Sequence, residues 1–348
     1  MKRKTAYILL ICLTFLCITL CPACSGKKDN NAPLPISHFE PLNEIKAGRK
    51  NVYLIIKVMD SSYWKVIVNG ARDAGEVLDC NIYYGGTTIE TDWEGQQVLI
   101  NEALESKADA MIIAPDDSIE LAADINRIHD LGKPVVLIDT AANTNSFDIC
   151  YMTDNLLAGQ QAAAEMLNQL KRTGHDTEAV LSVGIMVGSA KSQTINERLA
   201  GFYKYWTENA PEKWTIISDI MNCNGKVDLG FDLARDFLKQ HPETAGLYGT
   251  NNGPTRAICG VVKEQSRTDL VVVGFDYSDE MKELIELPEY PASTMLQRQY
   301  DMGNLAVGSV MDLLNGDTPP LKFVDTGVVT VNTDTLSDPE VTEVLERN

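Results

Sequence analysis

The feature that most constrains this chain is a short apolar run that ends in a hydrogen-bonding side chain, and it recurs. Residues 246–252 read Gly-Leu-Tyr-Gly-Thr-Asn-Asn, and residues 270–276 read Leu-Val-Val-Val-Gly-Phe-Asp. The runs at 55–60, 111–116 and 135–139 end in Asp as well. An Asp or Asn there often caps the next helix. Because the carboxyl ends of parallel strands face one crevice in an open α/β sheet, recurrence favours a ligand pocket.

The same alternation of strand and helix patterns runs through the chain twice, which indicates βαβ units and mainly parallel sheets. Because about 300 residues exceed what one hydrophobic core organises, we predict two α/β lobes facing one cleft. Predicted strands lie near 52–58, 80–84, 109–113, 134–138, 148–152, 179–187, 214–219, 245–249, 270–275 and 292–296. Predicted helices lie near 63–78, 92–106, 117–131, 155–172, 192–209, 226–240, 253–266, 278–287 and 300–314. An apolar strand pair within 321–331 and an acidic tail complete the pattern.

The N-terminus has the pattern of a bacterial lipoprotein signal. Basic residues at 2–4 precede an apolar run at 6–20, which ends in Cys21-Pro-Ala-Cys24. We predict a signal peptide over 1–23, lipidation of Cys24 and a polar tether over 24–48. An uncleaved membrane anchor is the alternative. No other run reaches the roughly 20 apolar residues of a membrane helix, so the folded part is expected outside the cytoplasmic membrane, at the cell surface or in the periplasm.

Charge and composition argue against several other functions. The formal net charge of −19 opposes binding to nucleic acid. The four His are scattered, no Cys-x-x-Cys occurs after the predicted signal peptide and lipidation site, and no metal or other cofactor is expected. A phosphate-binding P-loop and a Gly-x-Ser-x-Gly elbow are both missing, so we predict that the protein is not an enzyme. Free thiols are favoured over disulfides for Cys80, Cys150, Cys223 and Cys259.

Seven short motifs occur in an order and spacing that resemble one family. They are Asp60-Ser-Ser-Tyr-Trp64, Ala108-Asp-Ala-Met-Ile-Ile-Ala-Pro115, Gly132-Lys-Pro-Val-Val-Leu-Ile-Asp139, Thr153-Asp-Asn155 with Gly159, Arg198-Leu-Ala-Gly-Phe202, Val271-Val-Val-Gly-Phe-Asp276, and Gln297 leading to Met302-Gly303. Together they resemble the ribose- and galactose-type periplasmic sugar-binding proteins, which are substrate-binding proteins of bacterial ABC transporters. The resemblance covers residues 52–332, nearly the whole folded chain.

The resemblance implies the type I periplasmic binding protein fold. That fold has two Rossmann-like lobes with parallel sheets flanked by helices, joined by a three-crossover hinge that closes over one ligand. The crossings fall near Asp154, Gln297 and Asp325. The implied lobes are 49–154 plus 298–324 and 155–297 plus 325–340, with a tail over 341–348.

The resemblance also implies the ligand-binding residues. Tyr63 and Trp64 match the stacking aromatics, although the helical spacing of Trp64 also fits a core residue. The implied polar ligands are the carboxylates Asp139 and Asp276, the amides Asn251 and Gln297, and the side chains of Ser61, Thr140 and Asn196. Ser61 stands where ribose-type members carry Asn. Thr140 and Asn196 each stand where those members carry Arg. The missing arginines argue against a ribose-like fit, and Lys57 or Arg298 is a candidate replacement charge. Arg198 is expected to tie a loop to the sheet rather than to contact ligand.

The expected function is reversible capture of a small sugar or sugar-like ligand and its delivery by a lipid-anchored monomer to ABC permease subunits. The alternative is a sensing module that presents the closed form to a histidine kinase or chemoreceptor. The missing arginines also motivate a ligand such as an aminated cyclitol or a nucleoside.

Overall fold

The structure is a computed structural model, and it describes residues 38–347. The predicted signal peptide, the lipidation site Cys24 and most of the predicted tether lie outside the described residues. Within residues 38–347, no helix has the length and apolar character needed to cross a membrane.

The first lobe is built on a sheet of seven strands that is mostly parallel. Alternate side chains of its inner strand β2 (Asn51–Val58) point to opposite faces, with Val52 and Leu54 on one side and Tyr53 and Ile55 on the other, and all four are buried. The spatial order is β1 (Glu40–Pro41), β3 (Asn81–Thr87), β2 (Asn51–Val58), β4 (Ala110–Ile113), β5 (Val135–Ile138), β6 (Ile149–Met152) and β13 (Phe323–Asp325).

Helices cover both faces of this sheet. On the face of Val52 and Leu54 lie α1 (Ser62–Val77) and α9 (Gln299–Asn315), and on the face of Tyr53 lie α2 (Trp93–Glu105) and α3 (Ala122–Asp130). Helix α1 buries Trp64, Ile67 and Ala71 at the spacing of one helical face.

The second lobe repeats this architecture. Its sheet runs β14 (Val328–Asn332), β12 (Ala292–Gln297), β11 (Val271–Phe275), β10 (Thr244–Gly249), β7 (Leu181–Val187) and β8 (Trp214–Ile216), and β9 (Met221–Asn222) also pairs with β7. Helices α4 (Asn155–Arg172) and α5 (Gln193–Asn209) cover one face. The other face is covered by α6 (Val227–Gln240), α7 (Asn252–Glu264), α8 (Asp279–Glu286) and α10 (Pro339–Glu346). The predicted two-lobed α/β fold is confirmed.

The chain passes between the lobes three times, from β6 to α4, from β12 to α9 and from β13 to β14. The third crossing differs from the strand pair expected at 321–331. Strand β13 pairs in parallel with β6 of the first sheet, whereas β14 pairs antiparallel with β12 of the second. One apolar stretch is therefore shared between two sheets, because each half finds its backbone partners in a different lobe.

Both ends of the described chain are more ordered than the sequence indicated. Phe39, within the expected tether, is buried, and its ring lies 4.9 Å from that of Tyr53. In the expected tail, α10 buries Val341 and Val344 in the core of the second lobe. The folded part therefore extends beyond the expected lobe limits at both ends.

Candidate functional site between the lobes

A cavity lies between the lobes at the carboxyl ends of both sheets, and we call it the interlobe cavity. The first lobe contributes Lys57, Tyr63, Trp64, Glu90 and Asp139. The second lobe and the crossover after β12 contribute Ser192, Thr194, Ile195, Arg198, Asn251, Asn252, Asp276 and Gln297. This edge of each sheet is the one at which open α/β sheets bind ligands.

Asp139 and Asp276 hold equivalent places, each directly after a central strand of its lobe. Both have left-handed backbones, with φ of 63° and 68°. Each backbone N–H donates to the neighbouring strand, Asp139 to the carbonyl of Tyr151 at 2.8 Å and Asp276 to that of Met295 at 2.9 Å. Asp tolerates this conformation better than most residues, and such conformations concentrate at functional sites.

The carboxylate of Asp139 is fully occupied by groups of its own lobe. Its Oδ1 accepts from the Tyr63 hydroxyl at 2.6 Å. Its Oδ2 accepts from Lys57 Nζ at 2.8 Å and from the Thr140 hydroxyl at 2.7 Å. Burial opposes ionisation, but the adjacent Lys57 lowers the pKa of Asp139 below its usual value. Asp139 is thus a charged anchor that fixes Tyr63 and Lys57 in the cavity wall.

The carboxylate of Asp276 has fewer partners. Its Oδ1 accepts from Gln297 Nε2 at 2.9 Å. Burial raises the pKa of Asp276 to about 7, against the opposing effects of Arg198 and Gln297. Asp276 therefore retains an oxygen able to accept a hydrogen bond from a ligand.

Arg198 both ties the second lobe together and lines the cavity. Its guanidinium donates to Asn155 Oδ1 at 2.8 Å, to the Thr250 carbonyl at 2.9 Å and to Gln297 Oε1 at 2.8 Å. It also lies over the Phe275 ring at 3.9 Å from the centroid. The expected structural role is present, and the arginine also contributes a positive charge to the cavity wall.

Glu90 and Trp64 meet the second lobe across the cavity. Asn251 Nδ2 donates to Glu90 Oε2 at 3.2 Å, a hydrogen bond between the lobes. Trp64 is 1% exposed and packs edge-on against Tyr63, with centroids 5.0 Å apart. Its buried indole N–H lies beside the Glu90 carboxyl group without the geometry of a full hydrogen bond. Trp64 therefore belongs both to the core and to the cavity wall.

The structure brings together six of the nine residues expected to bind ligand: Tyr63, Trp64, Asp139, Asn251, Asp276 and Gln297. The other three lie elsewhere. Ser61 lines an adjoining cleft, and Thr140 lies behind Asp139 and accepts from Lys57 Nζ at 2.7 Å. Asn196 lines a separate groove and donates to the Ala190 carbonyl at 3.0 Å. Asn196 and Arg198 are two residues apart on α5 and so point in different directions.

The positive charge expected from Lys57 or Arg298 is present at Lys57. Arg298 pairs instead with Glu340 at 2.7 Å, outside the cavity. Sequence reasoning missed Glu90, Ser192, Thr194, Ile195 and Asn252 as cavity residues. Glu90 follows β3 after a two-residue interval, so the strand-end pattern carried a signal for it.

Residues 38–347 give little support to metal binding or to chemistry at a reactive thiol. That part of the chain contains no group of three His, Cys, Asp or Glu side chains placed to hold a metal ion. Cys80, Cys150, Cys223 and Cys259 are buried free thiols. Burial raises the pKa of Cys80 and of Cys223 to about 11, so neither is a reactive thiolate near neutral pH.

Comparison with known proteins agrees with this architecture. A D-apiose import binding protein from Actinobacillus succinogenes is 25% identical over 261 residues, which are 74% of this chain and 79% of that protein. A ribose import binding protein from Bacillus subtilis is 22% identical over 316 residues, 91% of this chain and 94% of that protein. A carbohydrate transporter solute binding protein from Agrobacterium radiobacter, solved with D-arabinose, has a TM-score of 0.81 at 22% identity, covering 86% of this chain and 99% of that one.

A model of a whole protein family also matches this chain. The profile of the periplasmic binding protein domain matches residues 52–318, which include both lobes and the first two crossings. It confirms the family resemblance drawn from the motifs, and the relatives are binding proteins of import systems, not enzymes. This chain belongs to the periplasmic binding protein domain family.

Proposed function

We propose that this protein captures a small carbohydrate or carbohydrate-like ligand in the interlobe cavity and delivers it to an ABC importer. The observation that carries the proposal is the convergence of carboxylates, amides and Trp64 from two hinged lobes on one cavity. The import binding proteins among the relatives support the same role. The N-terminal sequence supports a place outside the cytoplasm, with the folded part held at the membrane through a lipid on Cys24.

The cavity wall suits a polyhydroxylated ligand. Each hydroxyl offers one donor and two acceptors, and the wall presents acceptors at Asp276 and donors at Asn251 and Arg198. Tyr63 and Trp64 provide aromatic surface for the apolar C–H side of a sugar ring. Because these groups come from both lobes, a ligand that contacts all of them favours the closed form over the open one.

The first experiment is a thermal-shift screen of the mature protein against pentoses, hexoses and polyols, followed by calorimetry of any hit. A ligand at 100 times its Kd adds about 2.7 kcal/mol to the free energy of unfolding, which is a measurable shift of the melt. A cooperative melt that no carbohydrate shifts would contradict the proposal.

The variant Asp276→Asn tests the site itself. Asn tolerates the left-handed backbone at this position, so the fold is expected to persist. Loss of a charged acceptor weakens binding of the identified carbohydrate by about 1.5–3 kcal/mol, or roughly 10- to 150-fold in Kd. The matched control is Asp279→Asn, which alters an exposed carboxylate three residues later and leaves Kd unchanged. Equal Kd values for both variants would remove Asp276 from the site.

A further inference from the structure

The walls of the interlobe cavity hold more negative than positive groups. Three carboxyl groups line it, those of Glu90, Asp139 and Asp276, against two cations, Lys57 and Arg198. A cavity that binds only neutral hydroxyl groups has no need of an unmatched charge, and burying one opposes folding. The location of the surplus charge therefore bears on what the cavity binds.

The two cations are committed elsewhere. Lys57 is paired with Asp139 at 2.8 Å, and both oxygens of that carboxylate already accept hydrogen bonds. Arg198 lies in the second lobe, where its positive charge acts on Asp276. Both cations also act on Glu90, but neither forms an ion pair with it, so Glu90 is the carboxyl group of the first lobe's wall that has no cation in direct contact.

Glu90 is compensated only in part by its neighbours. Burial raises its pKa, although the charges of Lys57 and Arg198 and the N–H of Trp64 oppose that rise. Its Oε2 accepts from the neutral amide of Asn251 at 3.2 Å. The buried Trp64 N–H lies beside the same carboxyl group without the geometry of a full hydrogen bond. The carboxyl group of Glu90 thus retains capacity to accept hydrogen bonds from a ligand.

We propose that the ligand is an amino sugar or amino polyol whose protonated amine binds the carboxylate of Glu90. The proposal rests on the proposed carbohydrate-binding function and narrows its ligand class. An ammonium group supplies a positive charge and up to three donors, which fits the remaining acceptor capacity of Glu90. The hydroxyl groups of the same ligand then take the acceptors and donors of the second lobe.

The test compares matched pairs of ligands on the full mature protein by calorimetry near neutral pH. The probes are glucosamine, galactosamine and mannosamine, each beside its parent hexose, with aminated polyols beside their parent polyols. At least one amino compound is expected to bind about tenfold or more tightly than its parent, because it gains a charge-assisted hydrogen bond. This comparison needs no variant, so it stands whatever happens to the folding of a mutant.

The variant Glu90→Gln keeps the shape of the side chain and removes its charge. It is expected to weaken binding of the amino compound about tenfold or more beyond any change in Kd for the parent. The matched control, Glu76→Gln, alters an exposed acid at the end of α1 and leaves both values unchanged.

Two results would overturn the inference in distinguishable ways. If every parent compound binds as tightly as its amino partner, or more tightly, the amine inference is wrong and carbohydrate binding stands. If neither series binds, the proposed function fails together with the inference.

Discussion

At the scale of single residues, Asp139 and Asp276 have the same backbone geometry, but their pKa values shift in opposite directions. They share a left-handed conformation and a hydrogen bond to the adjacent strand. Lys57 lowers the pKa of Asp139, whereas burial raises that of Asp276 to about 7. Asp139 therefore acts as a fixed charge that positions Tyr63, and Asp276 is the carboxyl group with capacity left for a ligand.

Asp116 gives a residue-scale prediction about pH and stability. Burial, only partly opposed by Lys57, raises its pKa from 3.8 to about 8. The folded state thus keeps a proton that the unfolded state releases, so the stabilisation present below pH 4 is lost as pH rises toward 8. Between pH 5 and 7, Asp116 lowers the free energy of unfolding by about 1.4 kcal/mol per pH unit. Asp116→Asn removes that contribution, and urea-induced unfolding at several pH values measures it.

The control for Asp116→Asn is Asp219→Asn, which changes an exposed acid of the second lobe. Its stability is expected to run parallel to wild type over this range, whereas the Asp116→Asn curve rises relative to both with increasing pH. Parallel curves for all three proteins would show that Asp116 is ionised in the folded state near its ordinary pKa.

At the scale of elements, the helix pair on each lobe is joined by glycine contacts. In the first lobe, a Cβ placed on Gly70 of α1 would lie 2.1 Å from the Tyr300 carbonyl oxygen of α9. A Cβ on Gly303 of α9 would in turn lie 2.0 Å from the Ile67 carbonyl oxygen of α1. The backbones of these two helices are therefore in direct contact, and no larger residue fits at either glycine.

In the second lobe, helices α4 and α5 make the same kind of glycine contact next to the cavity. A Cβ on Gly159 of α4 would lie 2.1 Å from the Arg198 carbonyl oxygen, and one on Gly201 of α5 would lie 2.1 Å from that of Leu156. The α4–α5 contact thus fixes the part of α5 that carries Arg198. In this way helix packing determines the position of a cavity cation.

Gly201→Ala is expected to lower both stability and ligand affinity. The new methyl group forces α5 away from α4, at a cost of about 1–3 kcal/mol in the free energy of unfolding, and displaces Arg198. The control is Gly308→Ala in α9, where a Cβ would meet nothing within 4 Å and helix propensity improves stability by about 0.5–1 kcal/mol. Denaturant unfolding and calorimetry measure both quantities. Gly201→Ala protein as stable as Gly308→Ala protein would contradict the close approach.

The same elements show what the sequence could predict. Strands, helices and the strand-end aspartates were accessible because side-chain periodicity is local, and parallel strands gather Asp139 and Asp276 at one edge. The division of residues 321–332 between two sheets could not be predicted, because β13 and β14 pair with strands that lie far away in the sequence. The Glu90–Asn251 hydrogen bond spans 161 residues and depends on closure of the lobes, so no local pattern indicates it.

At the scale of the whole molecule, the three crossings form a connected hinge. Thr153 donates from its hydroxyl to Gln297 Oε1 at 3.0 Å, which joins the first crossing to the second. Asp325 joins the first to the third, since its Oδ1 accepts from the backbone N–H groups of Asp154 and Gly327, each at 2.8 Å. Because Gln297 also contacts Asp276, the hinge and the ligand site share a side chain.

Asp325→Ala is therefore expected to loosen the hinge without unfolding either lobe. The change removes the acceptor of two backbone N–H groups, and each such bond is worth about 0.5–1.5 kcal/mol. Hydrogen exchange at Asp154 and Gly327 should accelerate roughly two- to tenfold, whereas amides of the central strands β2 and β10 keep their protection. Asp317→Ala, which alters an exposed acid in the loop after α9, serves as the control and leaves exchange at the hinge unchanged. If exchange at these two amides is the same in both variants, Asp325 does not couple the crossings.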